Sequence, residues 1–308
     1  MWHRLGRDDF ERTSELRRGF GSDSREWGVC REYLLREVTE DGRPVQYIVP
    51  KYYIQPYQDD NWTMYSPLQD TPDLFLRFAR LHERSDSVEA ILDWVHRYGV
   101  LGHGSGWSRT APQSVKDFRE ALEEAAGVLA MYEAVLNGDA QRAKSLVLEE
   151  FPLVGPGGHL IKMLREAGVP VDDWDRAGDT SKTVEEHFDG DYLDYALDLA
   201  VAAVNEMVKE TCYPSLDMGY ELHRRPSDVR TGWSFKSLLG AMYLQMYWLM
   251  GSGGEVTRCR YCGRIISLAR PSPDARKVRQ DKSFCDDACR QRHHYHNRTK
   301  PKRQGKQR

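Results

Sequence analysis

The sequence predicts a mainly α-helical protein: a helical body that carries an N-terminal β-hairpin and is followed by a small C-terminal module built around cysteines. Three observations support this fold class. Strand-forming residues are concentrated between residues 26 and 57, apolar residues then recur at helical spacing up to residue 250, and four of the six cysteines lie after residue 258. Apolar residues three and four positions apart share one helix face, so their recurrence indicates helices that pack on a common core.

Composition limits the class of protein. The 308 residues are 40% hydrophobic, which is enough for one large or two modest domains. No run of about 18 apolar residues occurs, which argues against a membrane-spanning helix. The N-terminus lacks an apolar export signal, so we expect a cytoplasmic protein that contacts no membrane. The predicted boundaries are residues 1–60 for the hairpin region, 61–251 for the helical domain, 252–298 for the cysteine module and 299–308 for a disordered basic tail.

Two stretches rich in β-branched and aromatic residues predict the hairpin. Residues 27–38 and 44–49 are separated by Thr39-Glu-Asp-Gly-Arg43. Asp-Gly is a favoured pair for a tight turn between antiparallel strands. We therefore expect the two strands to pair on either side of this turn.

Helices are predicted through most of the body. Pro72 after Thr71 predicts a helix start with Thr71 as N-cap, and Gly99 predicts the end of the helical pair that follows. Further helices are predicted by apolar spacing and by flanking glycine or proline at Ser114–Asn137, Ala140–Phe151 and Val184–Glu210.

The most hydrophobic segment of the chain is Ser234–Met250. It is apolar nearly all round, a pattern typical of a helix at the centre of a core. Gly251-Ser-Gly-Gly254 follows and predicts a short, flexible link to the cysteine module.

The cysteine module has the spacing of a metal site. Cys259 and Cys262 form a C-x2-C pair, and Cys285 and Cys289 form a C-x3-C pair. Four thiolates can surround one tetrahedral Zn²⁺ at about 2.3 Å and leave no position open, as in structural zinc sites. Disulfides or unrelated thiols are the alternatives, but the clustering of four cysteines and the missing export signal favour zinc. We therefore predict one structural Zn²⁺ and no catalytic metal.

The segment around these cysteines is strongly basic. Residues 258–308 contain 16 Lys and Arg against 4 Asp and Glu, whereas the rest of the chain contains 28 and 43. Positive charge beside a rigid metal module is typical of nucleic-acid-binding proteins. The residues predicted to contact nucleic acid follow the last cysteine, in a predicted helix and in the tail: Arg290, Arg292, Arg298, Lys300, Lys302 and Arg303.

The module resembles the C-terminal zinc finger of the bacterial CGNR-type family of transcription regulators, and treble-clef or zinc-ribbon fingers more generally. The resemblance rests on Cys259, Cys262-Gly263, Phe284-Cys285 and Cys289, with Arg292 and Arg298 following. It covers about 45 residues. It implies a DNA-binding finger, and a helical body that senses a small molecule or a protein.

Three functions remain open on the sequence alone. The first is a nucleic-acid-binding protein, with DNA expected rather than RNA because of the resemblance. The second is a helical nuclease or toxin-like enzyme, since Arg290 and His296 are spaced as in a helical RNase motif. The third is a zinc finger that docks to another protein. No catalytic residues are predicted, and whether the chain is an enzyme is left open.

Overall fold

The computed structural model describes most of the body and the core of the cysteine module. The described ranges are residues 26–52, 61–85, 87–102, 111–147, 191–217, 230–251, 256–267, 282–285 and 287–299. The predicted link at residues 252–254 and the predicted tail at residues 300–308 lie outside them. Helices dominate the described part, with four small antiparallel sheets, so the predicted mainly α class is confirmed.

The predicted β-hairpin is present. Strand β2 (Tyr33–Glu40) pairs with strand β3 (Arg43–Pro50), and Glu40 lies opposite Arg43. Asp41 and Gly42 between them have φ angles of 48° and 78°, the positive values that a two-residue turn of type I′ requires. The far end of the hairpin is exposed on both strands, whereas Ile48 is buried in the core.

A second strand pair was not predicted. Strand β1 (Trp27–Cys30) runs antiparallel to strand β4 (Trp62–Tyr65). Trp27 donates from Nε1 to the carbonyl oxygen of Val100 at 3.1 Å. Gly99 and Gly102 have φ angles of 90° and 66°, and a Cβ atom on either would come within 2.9 Å of Trp27 or nearer. The close packing of Trp27 therefore requires glycine at both positions.

The first helices begin differently from the prediction. Helix α1 spans Pro67–Asp70 and helix α2 spans Leu74–Leu81, with Asp73 at the N-cap of α2. Thr71 ends α1 and does not begin the next helix, so the predicted start at Thr71 is wrong. A distant side chain explains the difference: Gln245 donates to the carbonyl oxygen of Thr71 at 2.8 Å and accepts from the amide of Phe75 at 3.0 Å. This tertiary contact outweighs the local proline signal.

Helices α3 and α4 agree with the prediction more closely. A short 3-10 turn (His82–Arg84) leads to α3 (Val88–Tyr98), which ends at Gly99. Helix α4 spans Val115–Asn137, and the hydroxyl of Ser114 caps it by accepting from the amide of Asp117 at 3.2 Å. Gly138 ends it with a φ of 64°, as a left-handed C-cap needs. A two-residue strand, β5 (Gln113–Ser114), precedes α4 and pairs with β3.

A long helix joins the remaining helices of the body. Helix α5 spans Ala140–Ser145. Helix α6 spans Tyr192–Thr211 and contacts α4, α5 and helix α7 (Leu238–Gly251). Strands β6 (Cys212–Asp217) and β7 (Arg230–Phe235) pair next to them. Helix α7 (Leu238–Gly251) is the predicted central helix, with ten buried residues. It starts after Ser234 because Ser234 and Phe235 belong to β7.

The body has one continuous hydrophobic core. It contains Trp27 and Ile48 from the N-terminal strands as well as the apolar faces of α2, α3, α4, α6 and α7. Cys30 and Cys212 are both buried, and burial raises the pKa of the Cys212 thiol to about 11, so that thiol is unreactive at neutral pH. Within the described ranges, we find no helix that could cross a bilayer.

Candidate metal centre and its helix

In its described residues, the cysteine module contains a strand pair and one helix. Strand β8 (Val256–Arg258) pairs with strand β9 (Ile265–Ser267), and helix α8 spans Asp287–Thr299. The first cysteine pair lies in the turn between β8 and β9, and the second pair lies at the start of α8. Asp287 in the first turn of α8 suits the positive end of the helix dipole.

The four predicted cysteines come together. The Sγ atoms of Cys259, Cys262, Cys285 and Cys289 all lie within 4.8 Å of one another, and those of Cys262 and Cys285 are 3.6 Å apart. Four sulfurs bound to one tetrahedral Zn²⁺ at about 2.3 Å would lie about 3.8 Å apart. All six cysteines of the chain are in the described part, and none is in a disulfide. The group can therefore hold one zinc ion.

The turn between β8 and β9 aims the first pair. Gly263 has a φ of 75° and donates to the carbonyl oxygen of Cys259 at 2.9 Å, while Cys259 donates to the carbonyl oxygen of Arg264 at 2.9 Å. Arg260 donates to the carbonyl oxygen of Ser283 at 2.9 Å, which fixes the second pair against the first. Gly263 occupies a conformation that other residues rarely adopt, so this tight turn depends on it.

The electrostatics of the group suit a divalent cation. Burial opposes ionisation of Cys259, but the backbone amides of Cys262, Cys285 and Tyr261 donate to its sulfur and lower its pKa to about 6. Burial raises the pKa of Cys289 to about 11, and burial also raises the pKa of Cys285, with neighbouring thiols adding to the effect. The thiolate of Cys259 is thus stabilised, whereas those of Cys285 and Cys289 are not. A bound Zn²⁺ supplies the positive charge that the additional thiolates need.

The finger, as we name the cysteine module, has a small core of its own within its described residues. Cys259, Ile266 and Cys289 are buried together, with Phe284 and Cys285 partly buried against them. His293, one turn after Cys289, packs on the ring of Phe284 at a centroid distance of 5.1 Å. These buried side chains contribute little apolar area, so a metal bound by the four cysteines would supply much of the folding free energy.

The predicted nucleic-acid contacts divide into three groups. Arg290 and Arg292 are exposed on α8, and Arg290 makes an ion pair with Asp287 at 3.0 Å. Arg298 lies in the last turn of α8. The tail residues Lys300, Lys302 and Arg303 lie outside the described residues, so their contacts stay a prediction.

Helix geometry separates two of these arginines. Arg290 and Arg292 are two residues apart, and side chains at that spacing point to opposite sides of a helix.

Arg290 and His296, the pair spaced as in a nuclease motif, also have different neighbours. Arg290 pairs with Asp287, whereas His296 stacks on Tyr261 at a centroid distance of 5.8 Å.

The finger packs on the body through strand β9, which the sequence did not predict. Ile265 is 2% exposed and belongs to the core of the body, whereas the next residue, Ile266, is 3% exposed and belongs to the core of the finger. Successive side chains of a strand point to opposite faces, so β9 serves both cores at once. The Ile265-Ile266 pair in a polar surrounding was the available signal for this contact.

Polar contacts surround Ile265. Arg80 of α2 donates to the carbonyl oxygen of Ile265 at 2.7 Å, and Glu133 of α4 accepts from its amide at 3.2 Å. Arg80 and Glu133 also form an ion pair at 3.5 Å. The backbone of β9 is thereby hydrogen-bonded to side chains from two body helices.

Two arginines of the finger extend the contact. Arg258 of β8 donates to the side chain of Asn137 and to the carbonyl oxygen of Leu136 at the end of α4. Arg258 thereby places a cation at the C-terminus of α4, where it interacts favourably with the helix dipole. Arg264 forms an ion pair with Glu83 in the 3-10 turn. The finger is therefore attached to the body at three points: at Arg258 in β8, at Arg264 in the turn and at Ile265 in β9.

Comparison with known proteins adds no relative. No protein-family model matches the chain, and no curated protein and no solved structure matches it. The resemblance to the CGNR-type finger consequently rests on the cysteines and the residues that flank them.

Proposed function

We propose that this protein binds nucleic acid through a zinc-stabilised finger. The observation that carries the proposal is the placement of α8: Cys289 lies in its first turn, Cys285 lies two residues before the helix, and Arg290 and Arg292 are exposed on the helix. A metal that fixes the start of a basic helix gives that helix a defined position from which to contact phosphates.

Charge supports the same conclusion. Residues 258–308 carry 16 Lys and Arg against 4 Asp and Glu, and four thiolates with one Zn²⁺ would reduce this excess by only two charges. Phosphate contacts by such a segment supply sequence-independent affinity and release counterions. The rest of the chain has more Asp and Glu than Lys and Arg, so the net positive charge is confined to the finger and the tail that follows it.

The finer form of the proposal is a cytoplasmic, bacterial-type regulator of transcription that binds DNA. The resemblance to the CGNR-type finger favours DNA, and the helical body would then bind a small-molecule or protein effector. The attachment of β9 to α2 and α4 through Arg80 and Glu133 supports a regulator, because a shift of either helix would reach the finger directly.

The test measures zinc content and nucleic-acid binding on the full chain. We expect about one zinc per chain, and an affinity for a random DNA duplex that falls steeply between about 50 and 200 mM salt. Arg292→Ala should weaken binding and reduce the salt slope by about 1. Arg36→Ala is the matched control, because Arg36 is an exposed arginine on strand β2 of the body.

The results distinguish the alternatives. One zinc with no binding to a DNA duplex or to a single-stranded RNA would overturn the proposal and favour a protein-docking finger. Binding with a flat salt response would contradict phosphate contacts. Binding to RNA alone would keep the nucleic-acid proposal and exclude the DNA-binding regulator.

A further inference from the structure

Several planar side chains lie beside the metal centre on one side of α8. Tyr261 lies between the first two cysteines, and its ring stacks on His296 with an interplanar angle of 17°. Tyr295 meets the His296 ring edge-on, at 78° and a centroid distance of 6.1 Å. These rings are held by the turn that carries Cys259 and Cys262 and by a metal-anchored helix, so their positions are set by the zinc site.

Among the large hydrophobic side chains of the described residues, that of Tyr295 is the most exposed. Tyr295 is 70% exposed and Tyr261 is 37% exposed. The finger core consists instead of Cys259, Ile266 and Cys289, with Phe284 against them. Tyr295 therefore contributes little to the stability of the finger. An exposed aromatic ring on a rigid helix is a feature that binding sites use.

Helix geometry places a positive charge on the same side. Tyr295 and His296 follow Arg292 by three and four residues, and side chains at those spacings share one face of a helix. Arg292 is exposed. We name this surface the ring face and define it by Tyr261, Arg292, Tyr295 and His296. It combines stacked rings with a guanidinium group, whereas Arg290 lies on the opposite side of α8.

We infer that the ring face binds unpaired nucleobases, so that the preferred ligand of the finger is a single strand of nucleic acid. This inference rests on the proposed nucleic-acid binding and specifies the form of the ligand. Tyr261 and His296 are already stacked, so an unpaired base can extend that stack, or it can stack on the ring of Tyr295. Arg292 is then placed to contact the backbone phosphate beside the stacked base.

The chemistry of the face argues against a duplex as the preferred ligand. In a duplex, the flat sides of the bases are covered by neighbouring base pairs, and a protein reaches only their edges in the grooves. Edge recognition uses hydrogen-bonding side chains, whereas exposed rings act on the flat sides of bases that are unpaired. Single-stranded DNA and single-stranded RNA share this chemistry, and melted DNA at a transcription site would present it as well.

The experiment compares single strands with a duplex on the full-length zinc protein. The probes are oligo-dT, oligo-U and a random DNA duplex of the same length, each labelled for fluorescence anisotropy. We expect at least one single strand to bind more tightly than the duplex. Tyr295→Ala should weaken single-strand binding by about 5- to 100-fold, and Tyr295→Phe should retain it because the ring is kept.

Salt dependence separates stacking from phosphate contacts. Stacking releases no counterions, so Tyr295→Ala should lower the affinity for the single strand and leave its salt slope unchanged. Arg292→Ala should reduce that slope instead. Tyr213→Ala is the matched control, because Tyr213 is an exposed tyrosine on strand β6 of the body and should have no effect. Zinc content is measured for every variant, so that a loss of folding is recognised.

The outcomes separate this inference from the proposed function. Duplex binding without single-strand binding, or single-strand binding that Tyr295→Ala leaves unchanged, would overturn the ring-face inference and keep the nucleic-acid proposal. Absence of binding to all three probes would overturn both. Different responses to oligo-dT and oligo-U would identify DNA or RNA as the source of the strand.

Discussion

The body and the finger of this protein are held together by different means. The body has a continuous core of buried side chains from its helices and its N-terminal strands. In the described part of the finger, a separate core contains three buried residues, two of which are cysteines of the metal group. Burial of apolar area stabilises the body, whereas in the finger the metal must supply most of the folding free energy. Strand β9 joins the two, because Ile265 and Ile266 point into different cores.

The largest effect is expected from loss of the metal. Chelation of zinc, or Cys289→Ser, should unfold residues 256–299 while the body stays folded, because structural zinc contributes about 10–16 kcal/mol to such modules. Hydrogen exchange measures this directly: amides of α8 should exchange rapidly, and amides of α4, α6 and α7 should remain protected. Equal loss of protection in α7 would show that the two regions are not independent.

A smaller effect should separate the two faces of β9. Ile265→Ala should lower the free energy of unfolding of the body by about 2–5 kcal/mol. It should also weaken the contact with the finger, with one zinc still bound. Ile266→Ala should instead weaken zinc binding and leave the thermal midpoint of the body unchanged. Calorimetry and competition with a zinc chelator provide the two measurements. If both variants behaved alike, the division of β9 between two cores would be wrong.

The ion pair beside Ile265 should contribute less. In a double-mutant cycle of Arg80→Ala and Glu133→Gln, we expect a coupling energy of about 1 kcal/mol, because both side chains are partly buried and both bind the backbone of Ile265. Chemical denaturation of the four proteins gives this value. Strictly additive effects would mean that each side chain holds the finger separately.

The smallest effect concerns a carboxyl group in the body. Burial raises the pKa of Glu124, and the negative charges of Glu206 and Glu210 raise it further. The hydrogen bond that the Tyr243 hydroxyl donates to Glu124 at 3.0 Å lowers it. Because the folded pKa exceeds the unfolded one, ionisation destabilises the fold as the pH rises above the unfolded value. Glu124→Gln should raise the thermal midpoint by at most a few degrees at pH 7, and by less at pH 4. An equal gain at both pH values would point to packing and away from charge.

Local signals predicted elements that local contacts determine. The cap at Ser114 and the glycine at Gly138 gave helix α4 its bounds, and the Asp41-Gly42 turn gave the hairpin its register. The four cysteines were predicted to form one site from their spacing and clustering, because short spacing is what aims two sulfurs at one ion.

Long-range contacts account for what the sequence did not predict. Strand β1 pairs with β4 across more than thirty residues of chain, and each strand has only four residues. The start of α2 depends on Gln245, which lies in α7. The attachment of the finger depends on a carbonyl oxygen at Ile265, a group that every residue possesses and that carries no sequence signal.

The distance in sequence between β9 and its partners on the body determines when the β9 contact can form during synthesis. Arg80 and Ile265 are separated by 185 residues, so at ordinary rates of translation Arg80 is made about 10 to 40 s before the residue whose backbone it binds. The part of the body core that the Ile265 side chain covers stays open until the finger folds, and that folding requires zinc. A newly made chain in a zinc-poor cell would therefore expose an apolar surface that chaperones and proteases recognise, and metal supply would set how much of the protein survives.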